Sequence, residues 1–369
     1  MEFLIKKAVF LKSLQRIQGI VEKRNTMPIL SNVLIEAVGS KVNIIATDLE
    51  VFIKDSIEAT VKTEGAVTVN ARKIFEIIKE LPDENVDISV NKDSKVTIKG
   101  GKAKFNIMGL PSKDFPAFPV IDESKLEDIH KDILKEMVDK TSFAVSMDET
   151  RYNINGFLLE KDGSKIRMVA TDGHRLALVE KTDDLGFGIK DKKSVLLPRK
   201  GMMEIRKLLE EDSKTGFKIS ITDKSAAMKK DDTLINIRLL EGEFPDYKKV
   251  IPENNNKSVM INRNILLASL KRVSILSADK IKGVNFKFSK DSLNLNSSNP
   301  DIGDATEELT TKYTEPDVEI AFNATYMIDM LEAVDDESIE IKLKDALSPG
   351  ILGSPKTNDY TYIIMPMRL

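Results

Sequence analysis

The densest set of chemically capable side chains is the run Ala170-Thr171-Asp172-Gly173-His174-Arg175-Leu176. His174 could act as a general base with Asp172 as its orienting acid, or could ligate a metal. The spacing argues against both. Two residues across a glycine turn is poor geometry for an aspartate holding its neighbour's imidazole, and no second histidine lies nearby. Asp172 and Gly173 could simply make a turn, which leaves the adjacent His174 and Arg175 unexplained; a recognition surface fits better. No phosphate loop of the G-x-x-x-x-G-K-[ST] type, G-x-S-x-G elbow, H-E-x-x-H or C-x-x-C occurs. The sequence has no cysteine and two histidines, so thiol nucleophiles, disulfides, thiolate zinc and iron–sulfur sites are excluded and a multi-His metal centre has few ligands. The expectation is a protein that is not an enzyme and carries no cofactor.

The chain's end supports recognition. Tyr360-Thr361-Tyr362-Ile363-Ile364 reads as a strand, and Met365-Pro366-Met367-Arg368-Leu369 follows it to the last residue. Tyr362 and Ile364 suit a core, but proline stops a strand ladder and methionines favour adaptable binding surfaces. An exposed apolar patch of this kind marks a peptide or protein site. Basic residues are segregated as well. The six helical stretches 8–20, 71–80, 131–141, 199–210, 263–274 and 324–334 carry +6 in total, so the rest of the chain carries −9 against a net −3. No aromatic interleaving accompanies them, which leaves attraction to a nucleic-acid backbone without base stacking or sequence readout.

The elements that must position these groups recur. The 369 residues divide into thirds of about 123, each opening on an amphipathic stripe: Phe10, Leu14, Ile17 and Val21; Ile129, Ile133 and Met137; Leu266, Leu270 and Val273. Strand-period segments then close on polar turns at Ile44–Asp48, Met168–Asp172 and Leu293–Asn299, with Asp48 and Asp172 separated by 124 residues. A second helix starts after Asn70, Pro198 and Asn323, residue types suited to helix starts, and runs over Ala71–Leu81, Arg199–Leu209 and Ala324–Val334. Alternating strands follow at Val86/Ile88/Val90, Ile219/Ile221 with Ile235/Ile237/Leu239, and Ile339/Ile341/Leu343. Asp114-Phe115-Pro116 and Glu243-Phe244-Pro245 end the first two thirds 129 residues apart.

Polar boundaries near 121–127 and 251–258 define domains 1–122, 127–252 and 257–369. Each has two helices and about eight short, mostly antiparallel strands, an α+β unit whose free sheet edges joining like units would cover. With 41% hydrophobic and 31% charged residues the chain reads as folded and well solvated. It lacks an uncharged run of membrane-spanning length, and Met1-Glu2-Phe3-Leu4-Ile5-Lys6-Lys7 is no signal peptide. The expectation is a cytoplasmic protein with no membrane partner.

The threefold repeat, Ala170–Ala177, Pro198-Arg199-Lys200-Gly201, Phe244-Pro245-Asp246-Tyr247 and the terminal Met365-Pro366-Met367-Arg368-Leu369 together resemble the bacterial DNA polymerase III β subunits, the sliding clamps, over the whole chain. The resemblance implies three tandem clamp domains in a ring-shaped head-to-tail homodimer, with twelve helices lining the hole and the sheets outside. It implies a processivity factor that encircles double-stranded DNA without sequence specificity. A clamp loader opens the ring, and the α subunit of the replicative DNA polymerase, other polymerases and repair factors dock through a short peptide with leucine and phenylalanine anchors.

Carried over by resemblance, the peptide-binding cleft comprises Arg151, Ile154, Thr171, Gly173, His174, Arg175 and Leu176, then Pro245 and Val250, Asn323 and Tyr326, and Ile363, Met365, Pro366, Met367 and Arg368. The resemblance places DNA on Arg24, Arg72, Lys73, Tyr152 and Lys200, with Lys12, Arg16, Arg206 and Lys271 as further helix contributors. It places Phe105, Ile275 and Leu276 at the dimer interface, where Lys73 could face Asp301, Asp304, Glu307 or Glu308. Asp148, Asn153, Lys249 and Pro349 depart from the family pattern: Asp148 stands where an amide is frequent and would repel phosphate. A hydrolase or isomerase centred on Asp172, His174 and Arg175, and a sequence-specific DNA-binding protein, are the rival readings.

Overall fold

A computed structural model describes residues 1–21, 27–82, 84–182, 193–278 and 282–368. Among them lie six α-helices: α1 (Lys7–Ile17), α2 (Ala71–Glu80), α3 (Lys131–Asp139), α4 (Arg199–Leu209), α5 (Arg263–Val273) and α6 (Ala324–Glu332). Every strand pairing is antiparallel. Two helices per repeat on antiparallel sheets make the α+β class that the sequence predicts.

Local signals set the helix starts. Asn70 accepts the Lys73 N–H at 3.0 Å, and Asn323 accepts those of Thr325 and Tyr326, which satisfies amides that the first turn leaves open. Asn262 caps α5 in the same way, accepting the Ile265 N–H. Two stripes shift. α1 ends at Ile17, before Val21, as Gln18 turns its side-chain amide back to the Leu14 carbonyl and Gly19 follows. In α3 the buried residues are Leu134, Met137 and Val138, not Ile129 and Ile133. Ile129 precedes the helix, its N–H bonded to the Phe217 carbonyl, an extension of the pairing of Glu127–Asp128 with Phe217–Ile221.

The chain separates into two compact units that do not follow the thirds. The first holds Met1–Lys131 with Lys200–Leu239, the second Leu240 onward with 132–182 and 193–199. In the first unit, strand Thr233–Arg238 of the second repeat pairs with Val51–Glu58 of the first, Ile235 opposite Ile53, to make one eight-stranded sheet. In the second unit, Arg175–Thr182 pairs with Tyr360–Ile364 of the third repeat, Ala177 opposite Tyr362, and again eight strands run on. The two remaining sheets have five and four strands and end on Ala103–Met108 and Gly303–Thr310. Apolar side chains fill the space between helices and sheets: Phe3 meets Phe10 of α1 edge-on at 6.4 Å, and Phe286, Phe288, Phe322 and Tyr313 are buried in the third repeat.

Candidate peptide-binding cleft and candidate DNA contacts

The cleft sits where the second repeat's hairpin meets the third repeat's last strand, within the second unit. The hairpin turn is built by Asp172. One carboxylate oxygen accepts the His174 and Arg175 N–H groups at 2.9 and 3.1 Å, the other accepts Arg175 Nε at 3.1 Å. Gly173 bends back at φ +90°, a conformation that side chains resist; a Cβ there would lie 2.9 Å from Arg151 Nη2. Arg151 donates to the Asp172 carbonyl at 2.9 Å. Asp172 is therefore spent on the backbone and on Arg175, and the dyad with the His174 imidazole does not form. Among the described residues no group of three His, Cys, Asp or Glu side chains is placed to hold a metal.

Arg175 carries the turn onto α6. Its Nη1 lies 2.5 Å from Asp329 Oδ2, and its guanidinium lies over the Tyr326 ring at 4.3 Å and near Phe143 at 5.3 Å. The His174 ring stacks on the same tyrosine at 6.3 Å. Burial, together with the Asp172 charge, raises the Tyr326 hydroxyl's pKa, which keeps it a neutral donor. On the far side Met365 N–H donates to the His174 carbonyl at 2.9 Å, the chain passes Pro366, and Met367 N–H donates to the Ala321 carbonyl at 2.8 Å. Proline thus ends one sheet's ladder and lets the next residues begin a contact with another.

These elements enclose a cavity of about 200 Å³ lined by ten of the expected residues: Arg151, Ile154, Thr171, Gly173, Arg175, Leu176, Pro245, Val250, Ile363 and Met365. Tyr247 is an eleventh. It belongs to the apolar cluster of Leu158, Val169, Leu176 and Ile363 beneath the cavity, and burial raises its hydroxyl pKa while the O–H donates to Glu160 at 3.2 Å. Its place after Phe244-Pro245-Asp246 was the signal available in sequence. His174, Asn323, Tyr326, Pro366, Met367 and Arg368 lie outside that lining; the His174 and Tyr326 rings stack on each other, Asn323 caps α6, and Arg368 is exposed. A second cavity, of about 390 Å³, adjoins the first and shares Val250 and Met365 with it; Lys249 and Pro349 line this one.

The expected DNA contacts fall in different surroundings. Arg24 lies outside the described residues. Arg72 and Lys73 are exposed on α2 and share Glu76, each at 2.9 Å. Lys200 is paired with Asp48 and donates to the Ile20 carbonyl at 3.3 Å. Tyr152 is exposed. Lys12, Arg206 and Lys271 are surface partners of Glu211, Glu210 and Glu332. Arg16 does not face solvent: it donates to Asp55 at 2.8 Å, Thr233 at 3.3 Å and Glu211 at 2.5 and 2.9 Å, binding α1 to the second repeat's strand. The Arg16 hydrogen bond holds the Glu211 carboxyl well below the usual carboxylate range. Asp148 accepts the Thr150 hydroxyl and N–H and so serves a local turn, whereas Asn153 donates to the Glu243 carbonyl at 3.3 Å, 90 residues away. Phe105 lies exposed on the edge strand Ala103–Met108, Ile275 is exposed and Leu276 half-buried after α5.

Repeated α+β units fused edge to edge, with an apolar pocket at one joint, define a tandem-repeat scaffold built for docking. The models of the DNA polymerase III β subunit match in order: the N-terminal domain over residues 1–119, the central domain over 128–246 and the C-terminal domain over 248–368. The β sliding clamp of Pseudomonas aeruginosa is 36% identical over 372 residues with both chains fully covered, and that of Escherichia coli is 31% identical, again over both full lengths. A Bartonella birtlesii sliding clamp solved bound to griselimycin superposes with a TM-score of 0.94 at 33% identity, covering both chains completely. The chain belongs to the bacterial DNA polymerase III β-subunit family, the sliding clamps of DNA replication.

Proposed function

We propose that two copies of the chain close head to tail into a ring around duplex DNA, slide on it without reading sequence, and tether the polymerase through the cleft. The observation that carries this is the sameness of the joints. Strand Val51–Glu58 of repeat one pairs with Thr233–Arg238 of repeat two, and Arg175–Thr182 of repeat two pairs with Tyr360–Ile364 of repeat three. By the repeat, Gly303–Thr310 is the next strand of the first kind and Ala103–Met108 that of the second, and both stand at sheet edges. A third joint of the same kind can form only between copies, and two copies satisfy both edges. Charge agrees: Lys104 on one edge, with Lys102 in the turn before it and Lys99 opposite it on the next strand, and Asp304 and Glu308 exposed on the other. Phe105, Ile275 and Leu276 supply its apolar contacts.

Sliding requires weak, exchangeable contacts. Arg72 and Lys73 are held by exposed pairs within one helix, contacts that contribute little, so phosphates can replace Glu76 at little cost; Lys200 and Tyr152 are further contacts to the DNA backbone. The domains divide at 1–122, 127–252 and 257–369, and the ring works in the cytoplasm; no helix among the described residues is long and apolar enough to cross a membrane. The cleft receives the clamp loader, the polymerase α subunit and repair factors as extended peptides. The test is topological. Retention on nicked circular DNA that vanishes when the circle is cut is expected, and equal retention on both forms overturns the ring.

A further inference from the structure

The second cavity differs in chemistry from the cleft it adjoins. Where the cleft floor is Leu176, Ile363 and Tyr247, this lining includes Lys249 and Lys344. Its shape is fixed by two small networks. Asn255 Nδ2 donates to the Lys342 and Pro349 carbonyls at 3.0 and 2.8 Å, which ties the linker before the third repeat to the loop 344–349. Asp345 Oδ1 accepts the Leu347 and Ser348 N–H groups at 2.9 and 2.8 Å, and these hold its carboxyl below the ordinary carboxylate range. That carboxylate is occupied in shaping the loop. Lys249 is 82% exposed in its pair with Asp246 at 3.0 Å, a contact that a competing anion displaces readily. Glu253 is the one acid in the lining, against two lysines. Asn255 Oδ1 is buried without a partner, an acceptor in want of a donor such as a peptide N–H.

We propose that this cavity is an extension subsite for partner peptides, taking an acidic side chain that flanks the apolar anchors. It rests on the cleft reading above and adds the charge that the partner must carry. Continuity carries the geometry, because a chain seated over Leu176 and Ile363 that runs on past Val250 and Met365 enters the lysine-walled space. Charge complementarity then selects among otherwise equal apolar motifs.

The test uses the full chain and fluorescence anisotropy with labelled peptides sharing one Leu/Phe anchor pair: one with asparagine flanks, one with Asp-Asp before the anchors and one with Asp-Asp after them. One acidic flank is expected to tighten binding about 5- to 10-fold over the asparagine peptide at low salt and to lose most of that gain at high salt. Lys344→Glu is expected to abolish the gain while leaving the asparagine peptide's affinity in place, and a Lys-Lys flank then restores a gain over the asparagine peptide. If the asparagine peptide binds and neither acidic flank improves on it, or if the gain survives in both Lys344→Glu and Lys249→Glu, the subsite is overturned and the cleft stands. If no peptide binds, the cleft reading falls and this one with it.

Discussion

Arg16 and Arg175 are alike in sequence, each a cation on an element that a clamp would use, and the structure gives both to joints between repeats. Arg175 locks the Asp172 turn to Asp329 of α6; Arg16 locks α1 to Asp55, Thr233 and Glu211. Helix position alone suggests that Arg16 faces phosphate, because its partners lie 39, 195 and 217 residues away and no local pattern announces them. The distinction has a measurable consequence. Asp55 is only 2% exposed, so Arg16→Met leaves a buried carboxylate uncompensated and is expected to cost about 3–5 kcal/mol by urea unfolding at neutral pH. The acid limb carries a second signature. Glu211 has a folded pKa below its unfolded value of 4.5, so its stabilisation is present above about that pH and is lost as pH falls further. In Arg16→Met the decline below pH 4.5 should be shallower; acid limbs parallel to the wild type would mean that Arg16 is a solvent-facing cation after all.

Helices α2, α4 and α6 were legible to within two residues because a cap or proline and an apolar stripe coincide at each. The strand pairings that fuse the repeats were not, since alternation says which face a residue takes and nothing about which distant strand it meets. Asn323 carries a role at the scale of the element. Resemblance puts it in the cleft, and its side chain accepts the Thr325 and Tyr326 N–H groups and starts α6, whose Tyr326 underlies Arg175. Asn323→Ala should remove about 1 kcal/mol of stability and weaken peptide binding through a displaced Tyr326. Asn323→Asp should keep both, because aspartate caps as well as asparagine and its charge suits a helix N-terminus. Anisotropy decides: an Asp variant that binds as poorly as the Ala variant makes Asn323 a direct peptide contact.

For the whole molecule, a net charge of −3 would ordinarily speak against a DNA partner, yet a closed ring holds DNA by topology and needs little attraction. Affinity for DNA and integrity of the joint between copies should then be tightly linked, while the peptide cleft, contained in one unit of one chain, should be indifferent to both. Replacing Phe105 and Ile275 together by aspartate puts like charges where two apolar surfaces would meet, close to Asp304 and Glu308. Light scattering should fall from about twice the chain mass, 41.3 kDa, to about once, and retention on nicked circles should vanish with it. The Leu/Phe peptide should bind the monomer within about twofold of the parent, because the hairpin turn, α6 and the terminal strand all remain in place. A double variant that still scatters as a dimer and still stays on circles would move the joint away from the edges Ala103–Met108 and Gly303–Thr310. Loss of peptide binding along with the dimer would mean instead that the cleft depends on the neighbouring copy, against its construction here from residues of a single chain.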